Sequence, residues 1–394
     1  MAFLVETVNW EEGIHQLELN ERAKGGPGGI ANLQAEQLAN RSQYLKKGIE
    51  DIGELIEGIL TGPGGAKRPV TLVVGTSAAG YTADDVDFLC DGVDDQIEIN
   101  AAITALSALG GKVLIREGTY SISARITVNK SYTTIEGMGA STVLKKMFNS
   151  VSSHEGTIQI TASYCTAKNL RIDGDKSSFS GGYNHGIYVT GSYALIIDNF
   201  CDNVACGIVV YQKTDAHAVI SGNHCMNCSS SGIWIWGSTY LTITGNHCCK
   251  NNNGIDARGS HLTVAGNTCT GNTNYGITCA TSEYIQNIFT GNNCSYNGGG
   301  MNVSGIDLVI SGNNLSQFSG SYGFQSINSE RIVFTGNTCT RGTGLAGDYA
   351  STQYTIYLSG VSNSLIADNL ILGKNYTALG SGSTGNTFVN NKYN

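Results

Sequence analysis

The sequence predicts an all-β solenoid, a chain wound into stacked coils of short parallel strands. Three observations carry this: one recurring segment, a second recurring segment between its copies, and a composition of 52 Gly, 3 Pro and 14% charged residues in 394. The first segment reads apolar-x-apolar-x-Gly-Asn-x-Cys, as in "LTITGNHC" from residue 241 and "IVFTGNTC" from residue 332. Its Asn falls at Asn199, Asn223, Asn246, Asn267, Asn292, Asn313, Asn337, Asn369 and Asn391, at intervals of 24, 23, 21, 25, 21, 24, 32 and 22. A period in the low twenties is that of a solenoid, here of about 10 to 12 coils.

Within each unit the third and fifth residues before the Asn are mostly apolar (Leu241 and Ile243, Leu262 and Val264, Ile332 and Phe334) and those between are mostly polar or small. Period-two alternation makes this a short strand. The second segment, Gly-Ile-x-apolar, begins at 186, 207, 232, 254 and 276 and reads as another strand. Leucine-rich and helical repeats have similar periods, but the leucine-rich consensus is absent and no unit holds ten residues of helical periodicity.

Stacked coils place each Asn over the previous one, so the column is expected to hydrogen-bond along the stack, with the preceding Gly making the bend. Cys201, Cys225, Cys248, Cys269, Cys294 and Cys339 share Asn parity and point inward, where Leu315 and Ile371 replace them in two coils. A position shared by Cys, Leu and Ile is a small hydrophobe. Disulfides are not expected among equivalent stacked positions in so long a chain. "HCMNC" at 224–228 and "HCC" at 247–249 have metal-ligand residue types, but alternation turns His224 and His247 outward and Cys225 and Cys248 inward. Four ligands then do not converge, so neither metal nor other cofactor is expected.

The net charge of −8 lacks the basic stripe of a nucleic-acid binder. No apolar run is long enough to span or insert into a membrane, and "MAFLVETVNWEEG" is no signal peptide. Free thiols suit assembly in a reducing cytoplasm. Residues 30–60 predict a helix with Leu38, Leu45, Ile52 and Ile59 at heptad d, Ile49 and Ile56 at a, and Ser42 as the polar exception. Isoleucine at both seams favours three strands or more, whereas Gly48, Gly53 and Gly58 favour an ordinary amphipathic helix; both readings stay open. "TGPGGAKRP", 61–69, is a linker.

In "FLCDGVDDQIEINAAITALSALGGKVLIREGTYSIS", 88–123, Asp91-Gly92 is a turn, and Asp94 and Asp95 start a helix. Its apolar side is Ile97, Ile99, Ala102, Ile103, Leu106 and Leu109; "GG" stops it and "KVLI" opens the first strand. Such a helix would cap the open first coil.

From Asp91 onward this stretch resembles the lead-in of the pectate-lyase-like superfamily of right-handed parallel β-helices, where a D-G-x-x-D-D turn, a helix and a GG-x-V strand pair precede the coils; the resemblance spans about 84–391. "GGPGGIANLQAEQLANRSQYLKKGIEDI" resembles the attachment segment of bacteriophage tail fibres and spikes. Together they imply a right-handed β-helix made in the host cytoplasm and carried on the virion tail. They also imply a homotrimer whose amino terminus docks on the phage tail or baseplate and whose β-helix meets the host surface. The expected organisation is 1–60 attachment segment with trimeric helix, 61–69 linker, 70–123 lead-in and capping helix, and 124–394 β-helix. The chain's end at "NNKYN" departs from tailspikes with a carboxy-terminal trimerisation domain, which leaves trimerisation to the helix and the β-helix flanks.

Fold does not settle chemistry, so function is read from the outward face. On the Gly-Ile strands the outward residues are Tyr188, Val209, Trp234, Asp256, Thr278, Asn302 and Gln325, and two residues on Thr190, Tyr211, Trp236, Arg258 and Ala280. Tyr188, Tyr211, Trp234 and Trp236 beside Asp256 and Arg258 offer flat apolar faces and charged hydrogen-bond partners, as a sugar chain requires; His185, just before a strand, joins them. The same rings would also suit a subunit interface, and Asp256 with Arg258 a mere surface ion pair. Glycoside hydrolysis needs two carboxyl groups: Asp256, with Glu283 or Asp215 from turns at nearby heights. A lyase would use a base and a cation, Arg258 or Lys213. Asp173 and Asp175 precede His185, Asp175 at the ladder position 24 before Asn199. No acid cluster of a calcium-dependent lyase stands out. The expected function is a tailspike that recognises a host cell-surface polysaccharide and depolymerises it endo-fashion; the alternative is a non-catalytic receptor-binding fibre of the same fold.

Overall fold

The computed structural model describes residues 42, 43, 45–47, 49, 50 and 70–393, except 153, 181, 182, 321, 342–353 and 374–376. The chain divides into two units, Met1–Arg68 and Pro69–Asn394. In the first, the described residues between 42 and 50 are helical and Leu45 and Ile49 are exposed. The rest of the attachment segment, the other heptad positions and the linker lie outside the described residues.

The second unit is a right-handed parallel β-helix. Three sheets run its length. Sheet 1 stacks the Gly-Ile strands, from Ile126–Val128 through Ser231–Thr239 to Thr377–Leu379. Sheet 2 stacks the strands before each Asn, such as Leu195–Ile197 and Thr242–Thr244, and sheet 3 the strands after it, such as His224–Met226 and His247–Cys249. All strand pairings of these sheets are parallel and join residues about one coil apart, as in Cys225 beside Cys248 and Ile243 beside Val264. Some strands turn the corner from sheet 1 into sheet 2: Gly299–Ser311 pairs with both Tyr322–Ile327 and Glu330–Thr335.

The first strand is Val70–Thr76, not "KVLI"; it pairs with Gly111–Ile115 across the intervening helix. That helix, Gln96–Ala105, buries Ile99, Ala102 and Ile103, with Leu106 just beyond its end. Ile97 and Leu109, expected on the apolar side, are 60% and 69% exposed: Ile97 lies off the single helix stripe that faces the coil, and the helix ends at Ala105, so Leu109 falls in the turn after it. Asp95 makes no side-chain cap; its carboxylate accepts the Gly92 and Ser121 N–H groups at 2.8 and 2.7 Å, tying the turn to a sheet 3 strand.

The Asn column is continuous from Asn199 to Asn391. Each side-chain Nδ2 donates to the next Oδ1, at 2.9 Å for Asn246 to Asn267, and that same Oδ1 accepts the backbone N–H of the Asn before it. Every Nδ2 also reaches a main-chain carbonyl of the preceding sheet 2 strand or its neighbour, as in Asn246 to Ile220 at 2.9 Å. The bend before the Asn is left-handed: Gly245 has φ 63° and Gly266 φ 62°, and the three coils without Gly use Asp198, Asp368 and Asn390 at 53°, 55° and 51°. Asp and Asn are the residues that best tolerate this region after Gly. The residue stacked below Asn199 is Leu170, since Phe200 pairs with Arg171. Asp175 is therefore not in the ladder; a longer turn in that coil defeats a count of 24.

Cys201, Cys225, Cys248, Cys269, Cys294 and Cys339 are buried, and the column continues through Leu315, Ile371, Ile172 and Leu144. All twelve cysteines are free thiols. The Gly of Gly-Ile exists for the same column: a Cβ on Gly207 would sit 2.7 Å from Cys225 Sγ and 2.5 Å from the Gly232 carbonyl.

Candidate functional site

The site is built on the outer side of sheet 1. Register stacks Tyr188, Val209, Trp234, Asp256, Thr278, Asn302 and Gln325 in one column and Tyr211, Trp236 and Arg258 in the next. Alternation points these away from the Ile187–Ile208–Ile233–Ile255 core column.

The rings pack on one another. Tyr188 to Tyr211, Tyr211 to Trp234 and Trp234 to Trp236 have centroids 6.1, 6.3 and 5.5 Å apart. His185 lies 6.1 Å from both Tyr188 and Trp234. His154, on the turn before the strand Gly156–Ile160, closes over them, 4.5 Å from Tyr211 and 6.0 Å from Tyr188, edge-on to both. Tyr188, expected as an exposed platform, is consequently buried, because a side chain that leaves the core can still be covered by a neighbouring turn. Among the described residues its buried hydroxyl has no hydrogen-bond partner, and burial raises its pKa. Sequence reasoning missed His154; the signal was available, since "HEGTI" places a His before a strand as "NHGIY" does for His185.

The strip ends on charge. Arg258 lies over the Trp236 ring, 5.0 Å from its centroid, and its Nε donates to Asp256 Oδ1 at 2.9 Å. Asp256 is 4% exposed, so it is not the surface carboxylate the sequence suggested. Burial pushes its pKa up, and Arg258 offsets this only in part. Glu283 is exposed at the sheet 1–sheet 2 corner one coil on. Asp215 is exposed in a left-handed turn two coils earlier, its N–H donating to Thr239 Oγ1 at 2.9 Å.

A separate cavity of about 630 Å³ opens where sheet 3 turns toward sheet 1, lined by Lys145, Asp173, Asp175, Lys176, Phe179 and Asn184 among others. Lys145 Nζ stands 3.9 Å from Asp175 Oδ2, and the Ser177 hydroxyl, then that of Ser178 and Lys145, hold the Asp175 carboxyl below its ordinary range. The longer turn that removes Asp175 from the ladder is what forms this cavity.

These features define a right-handed parallel β-helix protein with an aromatic strip ending at a buried acid. Residues 114–302 match a family described as periplasmic copper-binding protein (NosD). No curated protein matches the chain. Among solved structures, the A-module of mannuronan C-5 epimerase AlgE6 from Azotobacter vinelandii is similar with TM-score 0.66 at 19% identity, over 79% of this chain and 94% of that one. A DFA-IIIase from Arthrobacter chlorophenolicus A6 gives 0.57 at 11%, over 80% and 94%. Dettilon tailspike protein (gp208) gives 0.54 at 14%, over 76% and 66%. At these identities the likeness is one of fold.

Proposed function

We propose that the protein is a tailspike of a phage or phage-like particle that binds a host surface polysaccharide on sheet 1 and depolymerises it endo-fashion. The observation that carries this is the strip of four rings running from Tyr188 to Trp236 and ending on the Asp256–Arg258 pair. Partly exposed indoles give sugar rings an apolar face, and a guanidinium at the end of the strip suits an acidic sugar. Folds of this kind serve a mannuronan epimerase and a tailspike, which supports a polysaccharide ligand. The attachment-like start supports a virion location and a homotrimer docked through residues 1–60.

In this reading Asp256, held toward its protonated form by burial, is the proton donor. Glu283 is the second carboxyl group and Asp215 the reserve. Trp234, Trp236 and Tyr211 stack the chain, with His185 and Tyr188 beneath them. A non-catalytic fibre is favoured by one observation: Asp256 is already engaged by Arg258.

The test is incubation with surface polysaccharide from candidate hosts, followed by size exclusion and ultraviolet absorbance. Shortened chains carrying an unsaturated uronate mark a lyase, and shortened chains without it a hydrolase. Bound but intact chains give the adhesin. Asp256→Asn is expected to abolish shortening while binding persists; a variant with full activity removes Asp256 from the chemistry.

A further inference from the structure

Beyond the Asp256–Arg258 pair, sheet 1 carries a second group of rings. Continued from Asp256, the outward column runs through Thr278, Asn302, Gln325 and Tyr357, one to a coil. Three residues earlier in the same coils a flanking column holds Tyr275, Gly299, Tyr322 and Tyr354. Tyr322 and Tyr354 stack with centroids 6.2 Å apart at 11°, and Tyr357 lies 5.0 Å from the first and 5.6 Å from the second. Tyr275 reaches across two coils, where its hydroxyl donates to Gln325 Oε1 at 2.9 Å. Its ring rests on the backbone of Gly299: a Cβ there would sit 2.4 Å from the ring, so any other residue would push the tyrosine off the sheet. All four tyrosines are partly exposed.

Register fixes where this group stands relative to the acid. Trp234 is one coil before Asp256, Gln325 three coils after it and Tyr357 four. At about 4.8 Å per coil the tyrosines lie about 14–19 Å from the acid, on the side away from the indoles, and the face from Tyr211 to Tyr357 is about 29 Å long. One sugar unit cannot touch both groups of rings, whereas a chain lying along the solenoid axis can. The floor between them is Thr278, Ala280, Asn302 and Ser304, and among the described residues of these columns no charged side chain follows Arg258. An acidic sugar placed there would lose hydration and gain no cation. A neutral one meets ring faces and phenol hydroxyls, which match its own apolar faces and hydroxyls.

We propose that Tyr275, Tyr322, Tyr354 and Tyr357 form a second sugar-binding platform, which takes neutral units of the same glycan chain whose acidic unit faces Arg258. The inference rests on the polysaccharide reading of sheet 1 and adds to it a direction and a substrate class. The chain runs parallel to the solenoid axis, and its acidic units are set apart by neutral ones rather than adjacent. Asp256 stands between the two platforms, so an internal bond of the chain is the one presented to it.

The experiment uses the full chain and the host surface polysaccharide that wild type retains in affinity electrophoresis. Mild acid cuts that polysaccharide into oligosaccharides graded by length, which are titrated by calorimetry in the cold to keep them whole. Wild-type affinity is expected to climb with length until a chain covers both platforms. Tyr322→Ala with Tyr357→Ala is expected to bind the shortest oligosaccharides as wild type does, on the indoles, and the longest about tenfold more weakly. Tyr357→Phe keeps the ring and is expected to keep the climb. Should the thermal melt of the double variant fall, Tyr357→Ala alone carries the comparison. A variant equal to wild type at every length overturns the platform and leaves the polysaccharide reading standing. Equal loss at every length also overturns it, since a separate platform matters only to chains that reach it. A gain with length that salt removes overturns the neutral-sugar assignment, because salt screens charge and not stacking. No host polysaccharide retained by wild type overturns the reading and the platform together.

Discussion

Trp234 and Asp256 are adjacent in one outward column, yet burial gives them opposite consequences. Trp234 keeps an accessible edge for a ligand, so Trp234→Ala is expected to weaken glycan binding by about tenfold or more in isothermal titration, in line with loss of a buried aromatic contact. In the proposed reaction Asp256 serves only as a proton source. The ionised form of Asp256 is disfavoured in the fold, so the native state holds its proton to higher pH than the unfolded chain does. Its contribution to stability is therefore present at low pH and lost as pH rises above the ordinary value of 3.8 through the raised one. Asp256→Asn should melt higher than wild type near neutral pH while losing activity; a lower melting temperature would show that the ion pair with Arg258 outweighs burial.

At the scale of the element, two glycines of one coil separate two kinds of constraint. Gly245 sits at φ 63° with open space where a Cβ would be, so its requirement is conformational alone. Gly245→Val should cost at least about 1–2 kcal/mol, whereas Gly245→Asn should cost little, because Asp198 and Asp368 already fill equivalent bends. Gly254 has an ordinary φ, but a Cβ there would lie 2.4 Å from the Gly276 carbonyl oxygen. Gly254→Ala should therefore exceed Gly245→Asn in cost by urea unfolding. The turn between sheets 1 and 2 has its own column, Tyr132, Tyr164, Tyr193, His217, Tyr240 and His261, stacked at 4.6–5.0 Å with every residue left-handed. Its faces are occupied by one another, so it stiffens the corner and offers sugars only edges.

Across the whole molecule, each coil rests on its neighbours and a local loss spreads along the stack. Asn246→Ala would strand the buried Asn223 backbone N–H, take one acceptor from the Asn223 side chain and remove the Asn246 donor from the Ile220 carbonyl, and about 1–3 kcal/mol is expected from the loss. A shift of the urea midpoint measures it. Near the first coils Lys146 is buried, its pKa lowered to about 7 by burial, with Nζ against the Phe148 ring and bonded to Ser150 Oγ at 3.2 Å. Between about 7 and the ordinary 10.5 the unfolded chain binds the extra proton, so stability rises with pH across that window. Lys146→Met is expected to stabilise most at pH 6 and least near pH 10; a gain independent of pH would mean that packing, not the buried amine, sets the cost. If the helix assembles the proposed trimer, Ile49→Asp with Ile56→Asp gives monomers by light scattering, and an unchanged trimer moves assembly to the β-helix.

The solenoid, the Asn ladder and the inward cysteines were all legible in the amino-acid sequence, because each is a periodic property and period survives without coordinates of any kind; that each coil has three sides was not. Parity along a strand likewise told which of Tyr188, Trp234 and Asp256 leave the core. What parity cannot tell is what then covers them. His154 over Tyr188, the burial of Asp256, and the cavity around Asp175 come from turns whose lengths vary from coil to coil, and a turn's position over a sheet is decided by contacts between residues distant in sequence. The tertiary structure alone made that decision, and with it the difference between an exposed carboxylate and a buried one whose pKa is raised.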